Sequence, residues 1–343
     1  MKKFLQTKMY SNNYISKLSL LKVRNFIRLY YNYRRSNFQK KVFLNAMPTS
    51  VAIEPTTSCN LHCPECPTGL RALKRSKGNM ELSFFNNIIE QIKETTTSLV
   101  LYFQGEPYLL NNFTDLVYSA SKAGIYTFTS TNAHFLTTEN CRNTVLSGLD
   151  KLIVSFDGTT QNVYENYRQN GNLQTVVSGI EEIVKWKKKL HSKTPFVYLQ
   201  FLVVKHNEHQ IAELKAIAKK LGVDGVLLKT AQLNDFKNGN ALMPTIEKYS
   251  RYKKNSDGTY SLKNKLENKC WRLWSSTVIT FDGKMLPCCF DKDAQFAVGS
   301  LKENSFRELW FGKEMNNFRQ NILLNRKNIP ICTNCTEGLS VFA

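Results

Sequence analysis

The sequence predicts an α/β protein: parallel β/α units joined by right-handed crossovers from residue 48 onward, then a small metal-stapled C-terminal unit. Three observations predict it. Short β-type apolar runs alternate with runs of helical period between residues 48 and 230. Three cysteines, Cys59, Cys63 and Cys66, follow the first of those runs in the segment TTSCNLHCPECPTG. Five more, Cys270, Cys288, Cys289, Cys332 and Cys335, crowd the last third.

Taken in order, residues 1–47 read as a basic arm. The run LSLLKVRNFIRLYYNYRR sets Leu20, Val23, Phe26, Ile27 and Tyr30 near helical spacing, with Arg24, Arg28, Arg34 and Arg35 largely elsewhere. Strands are predicted at 51–53, 98–103, 126–130, 151–155, 196–204 and 225–228. Helices are predicted around 82–94, 112–123, 137–147, 161–189 and 209–221, the last stopped by Gly222. Residues 231–265 read as a polar, irregular linker. In residues 266–343 a hairpin is expected, 278–281 and 284–286 about Asp282-Gly283, then a helix over 305–318 and a closing Cys332-Thr333-Asn334-Cys335. About seventy residues make too small a core to stand without a staple.

Three thiolates at the Cys59/Cys63/Cys66 spacing can hold three irons of a cubane cluster and leave the fourth iron open to a small molecule. Structural zinc is the bland alternative. It wants four ligands, and no fourth cysteine closes this loop, although His62 lies inside it. Disulfides would imply export, and the start MKKFLQTKMYSNNY has neither an apolar core nor a cleavage site. Cys141, on a predicted helix, reads as a small buried apolar residue.

The CxxxCxxC loop after a first strand resembles the radical S-adenosylmethionine (radical SAM) superfamily. The resemblance implies a partial (β/α)6 barrel, a [4Fe–4S] cluster on Cys59, Cys63 and Cys66, and S-adenosylmethionine chelated to its open iron. It also implies cofactor contacts at the strand ends. Gln104-Gly105-Glu106-Pro107 stands where the family has Gly-Gly-Glu-Pro, with Glu106 accepting from the methionine ammonium. Ser130 and Asn132 match a ribose-contacting segment. Ser155 and Arg168 match residues that meet the ribose or the methionine carboxylate, although capping by Asp157 or Thr159 explains part of that segment equally well. Two departures stand out: Gln104 replaces the first glycine, and Glu65 replaces the aromatic residue usual before the third cysteine. The last third is similar to the SPASM/twitch extension of these enzymes. That implies one auxiliary [4Fe–4S] cluster on Cys270, Cys288, Cys332 and Cys335, with Cys288 chosen over Cys289 by its distance from Gly283. Zinc in the same four thiolates is the structural alternative. A full SPASM domain with two auxiliary clusters needs more cysteines than the five found here.

The net charge is +20, of which residues 1–45 carry eleven Lys/Arg and no Asp or Glu. Such an arm can dock on its own barrel, lie on an anionic membrane surface, or bind nucleic acid. The last is least favoured, since no RNA-binding module accompanies it. No apolar run reaches a membrane-spanning length, and a cytoplasmic place, peripheral to a membrane at most, is expected. Function is read first as hydrogen abstraction from a small polar, sugar-like metabolite, with the auxiliary cluster accepting an electron and a flavodoxin or ferredoxin as donor. Peptide maturation is the second reading. A non-catalytic, metal-stabilised binding protein is the reading from another class.

Overall fold

The computed structural model describes residues 11–263 and 265–335. The first ten residues of the basic arm and residues 336–343 of the expected C-terminal unit lie outside them.

Two helices open the described chain, α1 (Ser11–Ser16) and α2 (Leu20–Gln39). Then come β1 (Ser50–Ile53), α3 (Leu82–Ile92), β2 (Ser98–Val100), α4 (Phe113–Lys122), β3 (Tyr126–Thr131), α5 (Thr138–Leu146) and β4 (Lys151–Ser155). The alternation continues with α6 (Gln161–Tyr167), α7 (Leu173–Lys189), β5 (Phe196–Val203), α8 (Ile211–Leu221) and β6 (Gly225–Thr230). All neighbouring pairs from β1 to β6 are parallel. The strands are buried along much of their length, as a sheet covered by crossover helices requires. Predicted and observed strands differ by a residue or two, except that β2 stops at Val100 and residues 101–103 leave the sheet.

The segment expected as one helix over 161–189 is two. Its break falls at residues 168–172, where Asn170 takes a left-handed φ of 65° and the Asn172 side chain caps α7. The region expected as an irregular linker is not one. It carries the antiparallel pair β7 (Tyr252–Lys254) and β8 (Tyr260–Leu262), and it buries Leu233, Met243 and Tyr252 against Leu61, Cys63 and Tyr167.

The last third holds α9 (Trp271–Ser275), β9 (Ser276–Ile279), β10 (Met285–Leu286), α10 (Phe306–Phe311) and α11 (Lys313–Asn325). The expected hairpin is there, as β9 with β10. It is not a detached lobe, because β9 also pairs in parallel with β1, Ser50 opposite Ser276. The result is one eight-stranded sheet in the order β10-β9-β1-β2-β3-β4-β5-β6. The physical reason is the open edge of β1, whose backbone groups need a partner once that edge is covered. The predicted helix over 305–318 is split at Gly312, which ends α10 and starts α11.

The arm docks, but not by the face its hydropathy suggests. The buried residues of α2 are Lys22, Asn25, Leu29, Asn32 and Ser36. Asn25 exchanges two 2.9 Å hydrogen bonds with the Met47 backbone, and Lys22 Nζ donates to the Gly124 carbonyl at 2.7 Å. Buried polar groups are tolerated here because backbone and side-chain partners satisfy them, while Leu29 and Tyr33 add apolar contact. No helix among the described residues is long and apolar enough to cross a membrane.

Candidate active site

The loop leaving β1 carries Cys59, Cys63 and Cys66, and the ends of β2, β3 and β4 converge on it. Gly105 shows why this loop tolerates so few alternatives. Its φ is +78°, and a Cβ there would lie 2.3 Å from the Thr56 carbonyl oxygen and 2.8 Å from that of Ser58. The close backbone approach at Gly105 is made to the cysteine loop itself. The next amide, Glu106 N–H, donates to the Ser58 carbonyl at 2.7 Å and locks the two loops together.

Glu106 is 2% exposed. Its carboxylate accepts from Thr131 Oγ1 and the Asn132 amide, both at 2.7 Å, and from the Tyr108 amide at 3.3 Å. Burial pushes its pKa up to about 7, against the pull of those donors. Asn132 carries the network onward: its side chain donates to Asn60 at 2.7 Å and reaches Cys59 Sγ at 4.0 Å. The structure therefore brings Gly105, Glu106 and Asn132 up against the cysteine loop. Ser130 and Ser155 lie on β3 and β4 beside them, yet no side-chain hydrogen bond ties either into this network among the described residues.

Arg168 lies against the cysteine loop, held by a buried acid. Its Nε donates to the buried Asp157 carboxylate at 2.5 Å and its Nη1 to Cys63 Sγ at 3.5 Å. Asp157 raises its already high pKa against the opposing cost of burial. Asp157 is no mere helix cap. It also accepts from the Leu202 amide at 2.6 Å, so it joins the ends of β4 and β5 under Arg168. Thr131 is thus a part of the site that sequence reasoning did not single out, and Asp157 one that it read only as a possible cap. A buried acid two residues past a strand end, with an arginine eleven residues on, was the available signal.

Both family departures have structural reasons. Gln104 Oε1 accepts from Thr68 Oγ1 at 3.3 Å and lies 4.0 Å from Cys66 Sγ. Glu65 accepts from the Asn234 amide at 2.8 Å and from Asn240 Nδ2 at 3.4 Å, pinning the 231–263 region over the cysteine loop. The His62 ring nitrogens face Arg71 Nη2 at 3.0 Å and Asn170 Nδ2 at 2.8 Å.

The second group of cysteines lines one small cavity. Cys270, Cys288, Cys332 and Cys335 surround it with Leu273, Phe318, Ile322 and Ile331, and Cys289 is not part of its wall. Arg326 lines it too and donates to Cys335 Sγ at 3.3 Å. Burial pushes the Cys332 thiol up to about 12 and the Cys59 thiol to about 11, so metal must displace a proton at each. Among the described residues no three His, Cys, Asp or Glu side chains converge closely enough to hold a single metal ion. Four cysteines around one cavity can supply the four thiolates that a fully ligated cubane, or a zinc, requires. Arg168 and Arg326, each touching a thiol, suit the negative charge a thiolate cluster carries. Cys141 is fully buried in the main core, as expected, with its thiol pushed up to about 12.

Comparison with known proteins agrees with this architecture. Residues 53–216 match the family model described as the radical SAM superfamily, and residues 270–336 match SPASM, described as an iron–sulfur cluster-binding domain. A curated tungsten-containing aldehyde ferredoxin oxidoreductase cofactor-modifying protein from Pyrococcus furiosus is 26% identical over 314 residues, 83% of this chain and 86% of that protein. A PqqA peptide cyclase from Bradyrhizobium diazoefficiens is 24% identical over 260 residues, 71% of this chain and 67% of that protein. The solved structure of Streptococcus suis SuiB bound to S-adenosylmethionine superposes with a TM-score of 0.61 at 13% identity, covering 84% of this chain and 71% of that one. That of BtrN in complex with AdoMet and 2-DOIA gives 0.52 at 16% identity, covering 86% and 95%. The chain belongs to the radical SAM superfamily: it is an enzyme whose partial barrel binds a [4Fe–4S] cluster and S-adenosylmethionine and whose C-terminal SPASM domain binds an auxiliary iron–sulfur cluster.

Proposed function

We propose that this enzyme oxidises a peptide substrate by a radical route. In this reading Cys59, Cys63 and Cys66 hold the cluster that meets S-adenosylmethionine, and Cys270, Cys288, Cys332 and Cys335 hold one auxiliary [4Fe–4S] cluster. The observation that carries the oxidative part is the four-cysteine cavity. Four thiolates leave no iron open to a substrate, so electron transfer is the chemistry left to that centre. When bound, the two groups supply a 5′-deoxyadenosyl radical that abstracts hydrogen and an acceptor for the electron the substrate then gives up.

The chain's own residues do the rest. Glu106, oriented by Thr131 and Asn132, takes the methionine ammonium. Ser130, Asn132 and Ser155 line the ribose side. Arg168, fixed by Asp157, sets a positive charge against Cys63 and would be free to meet the carboxylate of a bound cofactor. Gly105 lets the second strand's loop lie directly against the cysteine loop, bringing both parts of the cofactor site together. Electrons enter from a low-potential carrier such as a flavodoxin or ferredoxin.

Two features favour a peptide over the sugar-like metabolite expected from the sequence. One curated relative is a peptide cyclase. β6 is one of the two edge strands of the sheet, and although Arg251 takes the Thr230 carbonyl, such an edge can offer an extended peptide backbone groups to pair with. A small polar metabolite is the second reading. It is favoured by a polar cleft of about 520 Å3 lined by Lys205, Asn240, Thr245 and Glu247, and by the relative named for modifying a cofactor. The test is anaerobic turnover with S-adenosylmethionine, a reductant, and the short peptides and sugars suggested by neighbouring genes. A peptide that stimulates 5′-deoxyadenosine formation and emerges lighter by two hydrogens supports the reading. Stimulation by a metabolite alone would replace it with the second.

A further inference from the structure

Nine of the fourteen large apolar side chains exposed in the described structure belong to α1 and α2, and they are not scattered. Because α2 docks by its polar face, its apolar face is turned outward. Leu20, Ile27, Tyr31 and Phe38 fall on one line down the helix and are 82%, 62%, 63% and 88% exposed. At 1.5 Å per residue that line runs for roughly 27 Å. Arg24, Arg28 and Arg35 flank it on one side and Arg34 on the other, at successive 100° steps of the helix. On the opposite, docked face the helix is held to the barrel and to residues 43–47 by hydrogen bonds from Lys22, Asn25 and Ser36. Phe26 and Tyr30, at the rim of the stripe, pack edge-on against Trp271 beside Cys270.

An exposed apolar line bordered by arginines, on a helix hydrogen-bonded to the barrel by its opposite face, is suited to an interfacial plane. We propose that the outward face of α2 docks this enzyme on an anionic lipid surface, with Leu20, Ile27, Tyr31 and Phe38 entering the headgroup boundary and the arginines meeting lipid phosphates. Charge selects this occupant. Residues 1–45 contain eleven cations and no acid, so a second copy would bring arginine against arginine. An anionic bilayer supplies both the apolar phase and the countercharge.

The test is co-sedimentation of the full chain with vesicles of phosphatidylcholine alone and of phosphatidylcholine mixed with phosphatidylglycerol, at low and high salt. The chain should bind only the anionic vesicles, and less as salt rises. Two multiple variants should each weaken binding by at least about tenfold, Leu20→Ser/Ile27→Ser/Tyr31→Ser/Phe38→Ser and Arg24→Gln/Arg28→Gln/Arg34→Gln. Both should leave the melting temperature within a few degrees of the parent, since exposed side chains contribute little to folding. Absence of binding, equal binding to neutral vesicles, or full binding by the serine variant would overturn the proposal. So would sizing data in which the stripe serves only self-association or capture of an acidic electron carrier while vesicles are ignored.

Discussion

Glu106 is where a single side chain decides most. Its carboxylate is buried among three donors, and burial pushes its pKa up to about 7. An ammonium needs the ionised form, so affinity for S-adenosylmethionine should rise with pH through about 7 and level off above it. Isothermal titration on Glu106→Gln should show that dependence gone and binding weaker by about 1.5–3 kcal/mol. A pH profile as steep as the parent's would place the titrating group elsewhere. Asp157 offers a second check. Its carboxylate lies fully buried against Arg168, and removing one partner of such a pair costs about 3–5 kcal/mol. Asp157→Ala should therefore unfold many degrees earlier, with Cys63 chemistry disturbed through Arg168. The cysteines and the glutamate could be read from sequence because cluster chemistry fixes their type and spacing. The Asp157–Arg168–Cys63 contact could not, since it joins β4, β5 and the first loop only once they are folded together.

At the scale of elements, α2 shows what hydropathy cannot say. Its apolar residues follow helical period, and a docked face was expected among them. The docked face instead carries Asn25, Asn32 and Ser36, because the chain returning at residues 43–47 presents backbone and side-chain groups at matching heights. The two faces make opposite predictions. Asn25→Ala abandons both Met47 backbone groups and should cost about 1–3 kcal/mol in urea unfolding, whereas Ile27→Ser should fall within about 0.5 kcal/mol of the parent. The reverse order would mean that α2 docks by its apolar side. Strand positions were legible from short β-type apolar runs. The break at residues 168–172 has a signal in Asn170-Gly171 that a single-helix reading passes through, and at Gly312 apolar residues flank the glycine closely enough to read as one helix.

Across the whole molecule, the barrel and the auxiliary unit are one construction. β9 extends the barrel sheet beyond β1, and the buried Glu54–Arg75 pair ties the end of β1 to the cysteine loop, with Phe281 and Lys292 donating and accepting alongside. Arg75→Ala should thus destabilise both cluster regions together, visible as coincident loss of both clusters on mild heating. From sequence the two cysteine groups looked like separate units, because nothing in a strand's composition names its partner across more than two hundred residues. The central claim is that seven thiolates hold two cubanes. Iron and zinc analysis of the anaerobically reconstituted chain tests it most directly. The account predicts about eight irons and no zinc per chain, about four after Cys59, Cys63 and Cys66 are replaced by Ala, and about four after Cys270, Cys288, Cys332 and Cys335 are replaced. Cys289→Ala should leave all eight. A parent with about four irons and one zinc, or an auxiliary cluster lost with Cys289 and kept without Cys288, would contradict it.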